Sequence, residues 1–203
     1  MIKCIIFDFG NVLFRGDWEE ASKAFEKEEG FSILFRGNRE LEEIYEKVNI
    51  GKDSLKTLVF KLAPNRKDIE KIIKSYQHFY AKYQEKNIEL YKLIKKLKKN
   101  YAVYCYTDTI KEHYEANKEN GHFKLFKKVF TSFDLNKRKQ HENAFQELLK
   151  IIPFKAEECI FIDDHPKNIE NAKAAGFHTI HYTQFPDIRP IEEKLKELKL
   201  ILS

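Results

Sequence analysis

Five short, strongly apolar runs separated by amphipathic segments constrain the fold of this chain more than any other feature of its sequence. Each run is rich in β-branched, aromatic or other apolar residues and is bounded by polar or turn-forming residues, as is typical of a buried β-strand. From the second run onward, helical patterns lie between the runs. This alternation predicts an α/β fold with a parallel, doubly wound sheet whose strands are fully buried. The predicted strands cover residues 3–8, 101–106, 129–132, 159–163 and 179–182.

A long helical insertion is predicted directly after the first strand. No further strand pattern occurs between residues 15 and 86, so the insertion is expected to be all-helical, with helices over 18–29, 40–48, 54–62 and 68–83. A helix over 87–99 then returns to the core with four apolar side chains on one stripe, and a last helix begins near Ile191. The predicted division is therefore a core of residues 1–14 and 87–203 and a helical insertion of residues 15–86.

Composition excludes several classes of protein. The 203 residues are 42% apolar, which is enough for a packed core, and 37 basic against 32 acidic residues give a net charge of only +5. A dedicated nucleic-acid binder is thus not expected, and the lysine-rich face of residues 86–99 is interpreted as a solvated helix surface. The longest stretch without a charged side chain, 174–186, is too short to span a membrane.

Cysteine usage indicates where the chain works. Cys4, Cys105 and Cys159 lie singly in apolar runs, with no pairing or zinc-like spacing. We therefore expect a reduced, cytoplasmic protein. The sequence does not distinguish a monomer from a homodimer.

Acidic residues follow two of the predicted strands at the point where each strand ends. Asp8 closes the first strand, and Asp163 and Asp164 close the fourth. Ligands of parallel α/β sheets bind at the carboxyl ends of the strands, so three carboxylates are expected to meet at one edge. Unpaired, they would repel one another, and a bound Mg²⁺ ion would resolve this conflict.

The second strand places further polar groups at the same edge. It ends in Thr107-Asp108, whose hydroxyl and backbone N–H groups are suited to a phosphate oxygen. Lys139, a few residues beyond the third strand, offers a compensating positive charge. Each residue also has a structural interpretation: Thr107 as a helix N-cap, Lys139 as an exposed lysine, and Asp164 as the cap of the helix that follows Pro166.

Together and in this order, these residues resemble the four signature motifs of the haloacid dehalogenase (HAD) superfamily of phosphatases and related hydrolases. The resemblance spans most of the chain and implies a Rossmann-like core with the helical insertion as a cap that closes over the site. The matching residues are 5–13 for the first motif, 106–108 for the second, 132–135 with Lys139 for the third, and 161–164 with 168–169 and 174–176 for the fourth.

The resemblance implies a role for each matching residue. Asp8 falls on the family's nucleophilic aspartate, with Thr107 and Lys139 as the other catalytic residues. The implied substrate-binding residues are Phe9, Gly10, Thr107, Asp108 and Lys139. The implied Mg²⁺ ligands are Asp8, the backbone carbonyl of Gly10, Asp163 and Asp164.

The chain also departs from the family pattern. Family phosphatases usually carry a second aspartate, the general acid and base, two residues after the nucleophile, and here that position is Gly10. Gln140 stands where a proline commonly follows the lysine, and Asn168 where an aspartate often lies. The first motif, D-x-G-N-V-L, is nevertheless similar to that of a subgroup of small capped HAD proteins that includes sugar-phosphate phosphatases.

The function expected from these residues is Mg²⁺-dependent hydrolysis of a small phosphorylated metabolite, such as a sugar phosphate, through an aspartyl-phosphate. Two alternatives stay open: a HAD-fold phosphate-binding protein with little or no turnover, and a dehalogenase-type hydrolase in which Asp8 attacks carbon.

Four residues near the motifs are interpreted as structural. His165 could donate a proton near the metal, but a loop histidine before a helix is expected to be solvent-exposed. His178 and His181 lie three apart on a strand and so point to opposite faces, which excludes a shared metal. Trp18, like Arg15, could touch the substrate, but it is expected to be buried beneath the first helix of the insertion.

Overall fold

The computed structural model describes residues 1–200, so the last three residues of the predicted core range lie outside it. The strands are β1 Cys4–Phe7, β2 Phe14–Gly16, β3 Gln84–Lys86, β4 Ala102–Thr107, β5 Val129–Thr131, β6 Cys159–Asp163 and β7 His178–His181. Five of them form a central parallel sheet with the spatial order β5-β4-β1-β6-β7, which confirms the predicted α/β fold. A separate antiparallel ribbon is formed by β2 and β3.

Helices cover the five-stranded sheet on both faces. Successive residues of β1 point to opposite sides, so that Ile5 and Phe7 pack under α5 and α10 whereas Cys4 and Ile6 pack under α8 and α9. The helices are α1 Trp18–Glu29, α2 Arg39–Asn49, α3 Leu55–Leu62, α4 Ile69–Lys82, α5 Ile88–Leu97, α6 Lys111–Glu119, α7 Ser132–Leu135, α8 Ala144–Leu149, α9 Pro166–Ala174 and α10 Arg189–Glu197. None of the described helices is long and apolar enough to cross a membrane.

Strand β7 differs from the prediction of five fully buried strands. It lies at the edge of the sheet, and the side chains of His178 and His181 are exposed while that of Ile180 is buried. An edge strand has a neighbour on one side only, which is why polar side chains are tolerated there.

The helices α1 to α4 lie between β2 and β3 in the chain and pack around a hydrophobic cluster of their own, which includes Phe25, Leu55, Leu58 and Ile72. Their bounds agree with the predicted segments to within one residue. A separate cluster is what a distinct structural unit requires, and the division into residues 15–86 and the rest remains a prediction.

The ribbon of β2 and β3 was not predicted, and the insertion is therefore not all-helical. Phe14 pairs with Lys86 and Gly16 with Gln84, so the chain leaves and re-enters the core through adjacent antiparallel strands. Three-residue strands with charged side chains carry no apolar alternation, and their pairing joins segments about 70 residues apart in the chain.

Asn87 connects this ribbon to the core. Its Oδ1 accepts a hydrogen bond from the backbone N–H of Leu90 at 3.0 Å, which caps α5, and its Nδ2 lies 3.0 Å from the hydroxyl of Tyr182. The side chain is buried. Asn87→Ala should therefore lower the free energy of unfolding by about 1–3 kcal/mol, because it removes a cap and leaves buried polar atoms unpaired.

Urea denaturation of this variant, compared with the exposed-site control Asn120→Ala, measures the effect. A loss of less than about 0.5 kcal/mol in Asn87→Ala, as is usual for a surface substitution, would contradict the assigned role.

Candidate active site

The carboxyl edge of the central sheet gathers the residues that the sequence singled out. Strand β1 lies between β4 and β6, so Asp8, Thr107 and Asp163 follow or end three adjacent strands. All three side chains are buried. Their convergence follows from the parallel sheet, in which every strand delivers its last residues to the same edge.

Lys139 lies at the centre of this group and is 2% exposed, so its interpretation as an exposed lysine is wrong. Its Nζ is 2.6 Å from Oδ1 of Asp8 and 2.6 Å from Oδ2 of Asp163. The same Nζ lies 5.9 Å from the ring centre of Tyr106 and 5.8 Å from that of Phe161. A buried ammonium needs opposite charges beside it, because burial without them would favour the neutral amine.

Asp163 is the most completely bonded carboxylate of the site. Its Oδ1 accepts hydrogen bonds from the backbone N–H of His165 at 2.8 Å and from Nδ2 of Asn168 at 3.0 Å. Its Oδ2 accepts from Lys139 at 2.6 Å and also lies 3.1 Å from Asn168 Nδ2. Asn168 therefore donates to this carboxylate, which an aspartate at that position could do only when protonated. Asp163 holds Lys139 in place.

Asp164 is only half-buried and turns its carboxylate toward the first motif, where Oδ2 accepts a hydrogen bond from Asn11 Nδ2 at 3.0 Å. Its backbone carbonyl accepts from His181 Nε2 at 2.9 Å. Asp164 is not the cap of α9: that position is held by His165, which is exposed, as predicted, and whose Nδ1 accepts from the N–H of Lys167.

Asp8, Asp163 and Asp164 form a group that can hold a metal ion, with one carboxylate oxygen of each within 4.8 Å of the others. Among the described residues, one ammonium lies against this group, that of Lys139, which contacts Asp8 and Asp163, so three carboxyl groups share a single positive charge. A divalent cation with a preference for oxygen ligands would balance their negative charge. The residues present therefore fit Mg²⁺.

The pKa values of Asp8 and Lys139 reflect the burial of this group and the repulsion between its carboxylates. Burial raises the pKa of Asp8 well above its ordinary value, and Asp163 and Asp164 raise it further, against the attraction of Lys139. Burial by itself lowers the pKa of Lys139, but the carboxylates of Asp163 and Asp8 outweigh it and hold that pKa well above the ordinary value. Lys139 therefore stays an ammonium.

Thr107 and Asp108 end the neighbouring strand β4. Thr107 is not a helix N-cap, because α6 begins four residues later and Ile110 holds that position. The Asp108 carboxylate accepts a hydrogen bond from the backbone N–H of Lys139 at 3.0 Å, which fixes the loop that carries the lysine. The Thr107 hydroxyl makes no hydrogen bond within residues 1–200 and lines a cavity, so it is free to bind a ligand.

Gly10 lies at the mouth of the site and is exposed. A Cβ atom built at this position would have no other heavy atom within 4 Å, and its φ lies outside the left-handed region. The backbone there accepts a side chain, although the chain carries none.

A cavity of about 590 Å³ opens between these residues and helices α1 to α4. Gly10, Thr107 and Asp108 line it, and so do Trp18 of α1 and Tyr80 of α4. Trp18 was expected to be buried, but it is 47% exposed. Its ring lies along the cavity, with Tyr80 stacked behind it at 5.1 Å between ring centres, instead of pointing under the helix.

A comparison of the sequence with models of known protein families shows the family to which this chain belongs. The model of the haloacid dehalogenase-like hydrolases matches residues 2–176. The chain belongs to this family of hydrolases. The match covers β1 through α9 and therefore every residue of the site, which confirms the resemblance seen in the sequence.

Solved structures of HAD proteins share the fold. The HAD family enzyme BT-2542 from Bacteroides thetaiotaomicron, in complex with magnesium and inorganic phosphate, is 20% identical, with a TM-score of 0.78 over 94% of this chain and 99% of that one. A predicted HAD-like family hydrolase from Porphyromonas gingivalis is 24% identical, with a TM-score of 0.74 over 97% and 98%. The 2-haloacid dehalogenase from Pseudomonas syringae is 17% identical, with a TM-score of 0.74 over 98% and 100%. No curated protein matches this sequence.

One residue of this HAD site was missed by sequence reasoning. Arg138, next to Lys139, donates to Glu46 of α2 at 2.9 Å and lies 3.4 Å from the Asp108 carboxylate. It thus connects the helical insertion to the loop that carries Lys139. No motif marks Arg138. It belongs to a run of three basic residues, Lys137-Arg138-Lys139, and the sequence does not indicate which of their side chains face solvent and which face the site.

His113 of α6 forms part of the cavity wall, and burial lowers its pKa to about 3. An unfolded chain has a histidine pKa of about 6.5, so below that pH the unfolded state binds a proton that the folded state excludes. The free energy of unfolding should therefore fall as the pH decreases from about 6.5 to 3, with His113 contributing up to about 1.4 kcal/mol per pH unit.

Urea denaturation at several pH values gives the slope of the free energy of unfolding against pH. The contribution of His113 is the difference in this slope between the parent and His113→Phe. The exposed His78 supplies the control, and His78→Phe should keep the parent slope. Equal slopes in the parent and His113→Phe would mean that His113 is not held neutral by the fold.

Proposed function

We propose that this HAD hydrolase is a Mg²⁺-dependent phosphatase that acts on a small phosphorylated substrate through an aspartyl-phosphate at Asp8. The observation that carries the proposal is the buried group of Asp8, Lys139 and Asp163, joined by two contacts of 2.6 Å. Four residues near this group line a cavity of about 590 Å³, which is large enough for a metabolite: Gly10, Thr107, Asp108 and Arg138. Such a group has no use in a purely structural sheet edge, where apolar residues would be more stable.

In the first step, a carboxylate oxygen of Asp8 attacks phosphorus. A bond from that oxygen to phosphorus forms as the bond from phosphorus to the leaving oxygen breaks, and the leaving group departs with the electron pair. In the second step, the oxygen of a water molecule bonds to the same phosphorus as the bond from phosphorus to the Asp8 oxygen breaks. Inorganic phosphate leaves, one proton of the water passes to solvent, and the Asp8 carboxylate is regenerated. Splitting the hydrolysis in two replaces one difficult displacement by two easier ones.

Lys139 and Thr107 hold the transferred phosphoryl group. The Lys139 ammonium already lies against Asp8, so it is placed to neutralise charge on the non-bridging oxygens, and the Thr107 hydroxyl and the Asp108 N–H donate to the same oxygens. Asp163 acts by positioning Lys139, and the Asp108 side chain acts by positioning the loop of Lys139.

Mg²⁺ would be held by Asp8, Asp164 and the backbone carbonyl of Gly10, with Asp163 in support. When bound, it offsets the repulsion between an anionic nucleophile and an anionic phosphate. The oxygens of Asp163 are already engaged by nitrogen donors, so we assign it the smaller share of metal binding.

We further propose that residues 15–86 act as a cap over a core of residues 1–14 and 87–203. The chain enters and leaves this insertion through the β2/β3 ribbon, and the cavity lies between its helices and the site. Closure of such a unit would exclude water during the first step.

The metal tests the proposal. Asp164→Ala should raise the Mg²⁺ concentration needed for half-maximal activity by at least about tenfold, because it removes a ligand that no neighbour replaces. Asp163→Ala should change that concentration less and stability more, because Asp163 is buried and fully bonded.

Phosphate release from a panel of phosphomonoesters, titrated with Mg²⁺, gives the half-maximal Mg²⁺ concentration, and urea denaturation gives the stability. Asp187→Asn is the control outside the acidic group. Equal activity with and without a chelator in the parent would remove the metal from the mechanism and favour attack on carbon, as in a dehalogenase. Phosphate binding without turnover of any substrate would favour a non-catalytic protein.

A further inference from the structure

We infer that the substrate is an aryl phosphate, whose ring lies in the cavity against Trp18 with the phosphate at Asp8. This inference rests on the proposed phosphatase function and adds the chemical class of its leaving group. It differs from the sugar phosphate that the first motif favours.

The wall of the cavity beside the site is a stack of rings. Trp18 stacks on Tyr80, with 5.1 Å between ring centres and planes 25° apart, and Tyr80 stacks on His113 at 3.6 Å and 8°. Trp18 is half-exposed and lines the cavity, so part of a large flat apolar surface is left in water. A planar ligand that covered this surface would bury it against an already ordered face, with little further cost in side-chain entropy.

The chain makes room for this ring through Gly16. A Cβ atom at position 16 would lie 2.7 Å from Cζ2 of Trp18, so the indole lies directly against the backbone of β2. Glycine is required here by the space that the ring occupies. The position of Trp18 is therefore built into the base of the insertion.

Three of the polar side chains that line the cavity are already bonded to the protein. His113 Nε2 lies 2.7 Å from the Tyr76 hydroxyl, and Asn117 donates to the Tyr80 hydroxyl at 2.8 Å. Asn49, which also lines the cavity, donates to the Tyr45 carbonyl at 2.9 Å. A sugar needs a partner for each hydroxyl that it buries, and these side chains have little left to offer, whereas a ring needs none.

The missing acid at Gly10 points the same way. With no carboxyl group to protonate the leaving oxygen, the leaving group must carry negative charge by itself. A phenolate, the conjugate base of an acid of pKa about 10, does so far better than an alkoxide. Ring stacking and chemistry thus select the same leaving group.

The test separates binding from chemistry by using two non-hydrolysable phosphonates in the presence of Mg²⁺. Benzylphosphonate has the shape of phenyl phosphate, and ethylphosphonate lacks the ring. Calorimetric titration should give a Kd for benzylphosphonate at least about tenfold lower than for ethylphosphonate. Trp18 is the only tryptophan of the chain, so its fluorescence should respond to benzylphosphonate and much less to ethylphosphonate.

Trp18→Ala should abolish the difference between the two phosphonates and leave the Kd of ethylphosphonate unchanged. Phe60→Ala is the matched control, because Phe60 is an exposed aromatic residue of α3 that does not line the cavity. Equal affinities for the two phosphonates in the parent, or an equal loss for both in Trp18→Ala, would overturn the inference.

Turnover of acetyl phosphate, which has a good leaving group without a ring, tests the proposed function separately. Hydrolysis of acetyl phosphate without any preference for the benzyl compound would overturn the aryl assignment and keep the phosphatase. Tight benzylphosphonate binding with no turnover of acetyl or phenyl phosphate would support the ring site and overturn the phosphatase. Failure of both phosphonates to bind would overturn both.

Discussion

Asp8→Asn is expected to reduce turnover to the level of a control preparation from cells that lack the protein, while the fold is kept. The amide has the size of the carboxylate but is a far weaker nucleophile, so the first step has no attacking group. The buried Lys139 retains its 2.6 Å contact with Asp163, which compensates its charge. Phosphate release at saturating Mg²⁺, together with circular dichroism and thermal unfolding, measures activity and fold.

Asp187→Asn serves as the control for a carboxylate-to-amide change outside the site and should retain parental activity. Activity of Asp8→Asn above the background preparation would remove Asp8 as nucleophile. Loss of activity together with loss of the fold would be resolved by Asp8→Glu, which keeps the charge but displaces the attacking oxygen and should also be inactive.

Gly10→Asp is expected to raise kcat/KM for poor leaving groups by up to about 10²–10⁴-fold, which is the usual contribution of a general acid. The position is exposed, its backbone is outside the left-handed region, and a Cβ there meets nothing within 4 Å. The gain should be largest for alkyl phosphates such as ethyl phosphate and small for acetyl phosphate, since a good leaving group needs no proton.

Gly10→Asn is the matched control, because it has the same shape without the acid and should show no such gain. In the parent, kcat/KM should depend steeply on the leaving group, so that aryl, acyl and anomeric sugar phosphates outpace simple alkyl phosphates. The two residues that could take the place of the acid have other contacts: His165 Nδ1 caps α9, and the Asp108 carboxylate accepts hydrogen bonds from Lys139 and Arg138. A flat dependence in the parent would show that another group already donates the proton.

The central sheet and the meeting of its polar ends were predictable from the sequence. Strands such as Cys159–Asp163 are continuous apolar runs, and the rule that parallel strands deliver their carboxyl ends to one edge places Asp8, Thr107 and Asp163 together without any further information. The helices of the insertion were predictable for a similar reason, because their apolar periodicity is local.

Features that depend on contacts between distant segments were not predictable. The β2/β3 ribbon pairs short polar strands. The ion pair of Arg138 and Glu46 joins the loop of Lys139 to α2, and neither local sequence indicates this contact. Trp18 was expected to be buried beneath the first helix of the insertion, whereas its position is set by the space beside Gly16 and by a cavity that no local pattern reveals. The exposure of β7 likewise depends on its place at the sheet edge.

The covalent intermediate at Asp8 is the most direct test of the account. During steady turnover of phenyl phosphate with Mg²⁺, rapid quenching in acid followed by peptide mass spectrometry should detect one phosphoryl group on the peptide that contains Asp8. The adduct should be absent from Asp8→Asn and should disappear when the substrate is exhausted. Turnover that proceeds with no phosphoryl group on Asp8 at any quench time, or with the group on another residue, would contradict the account.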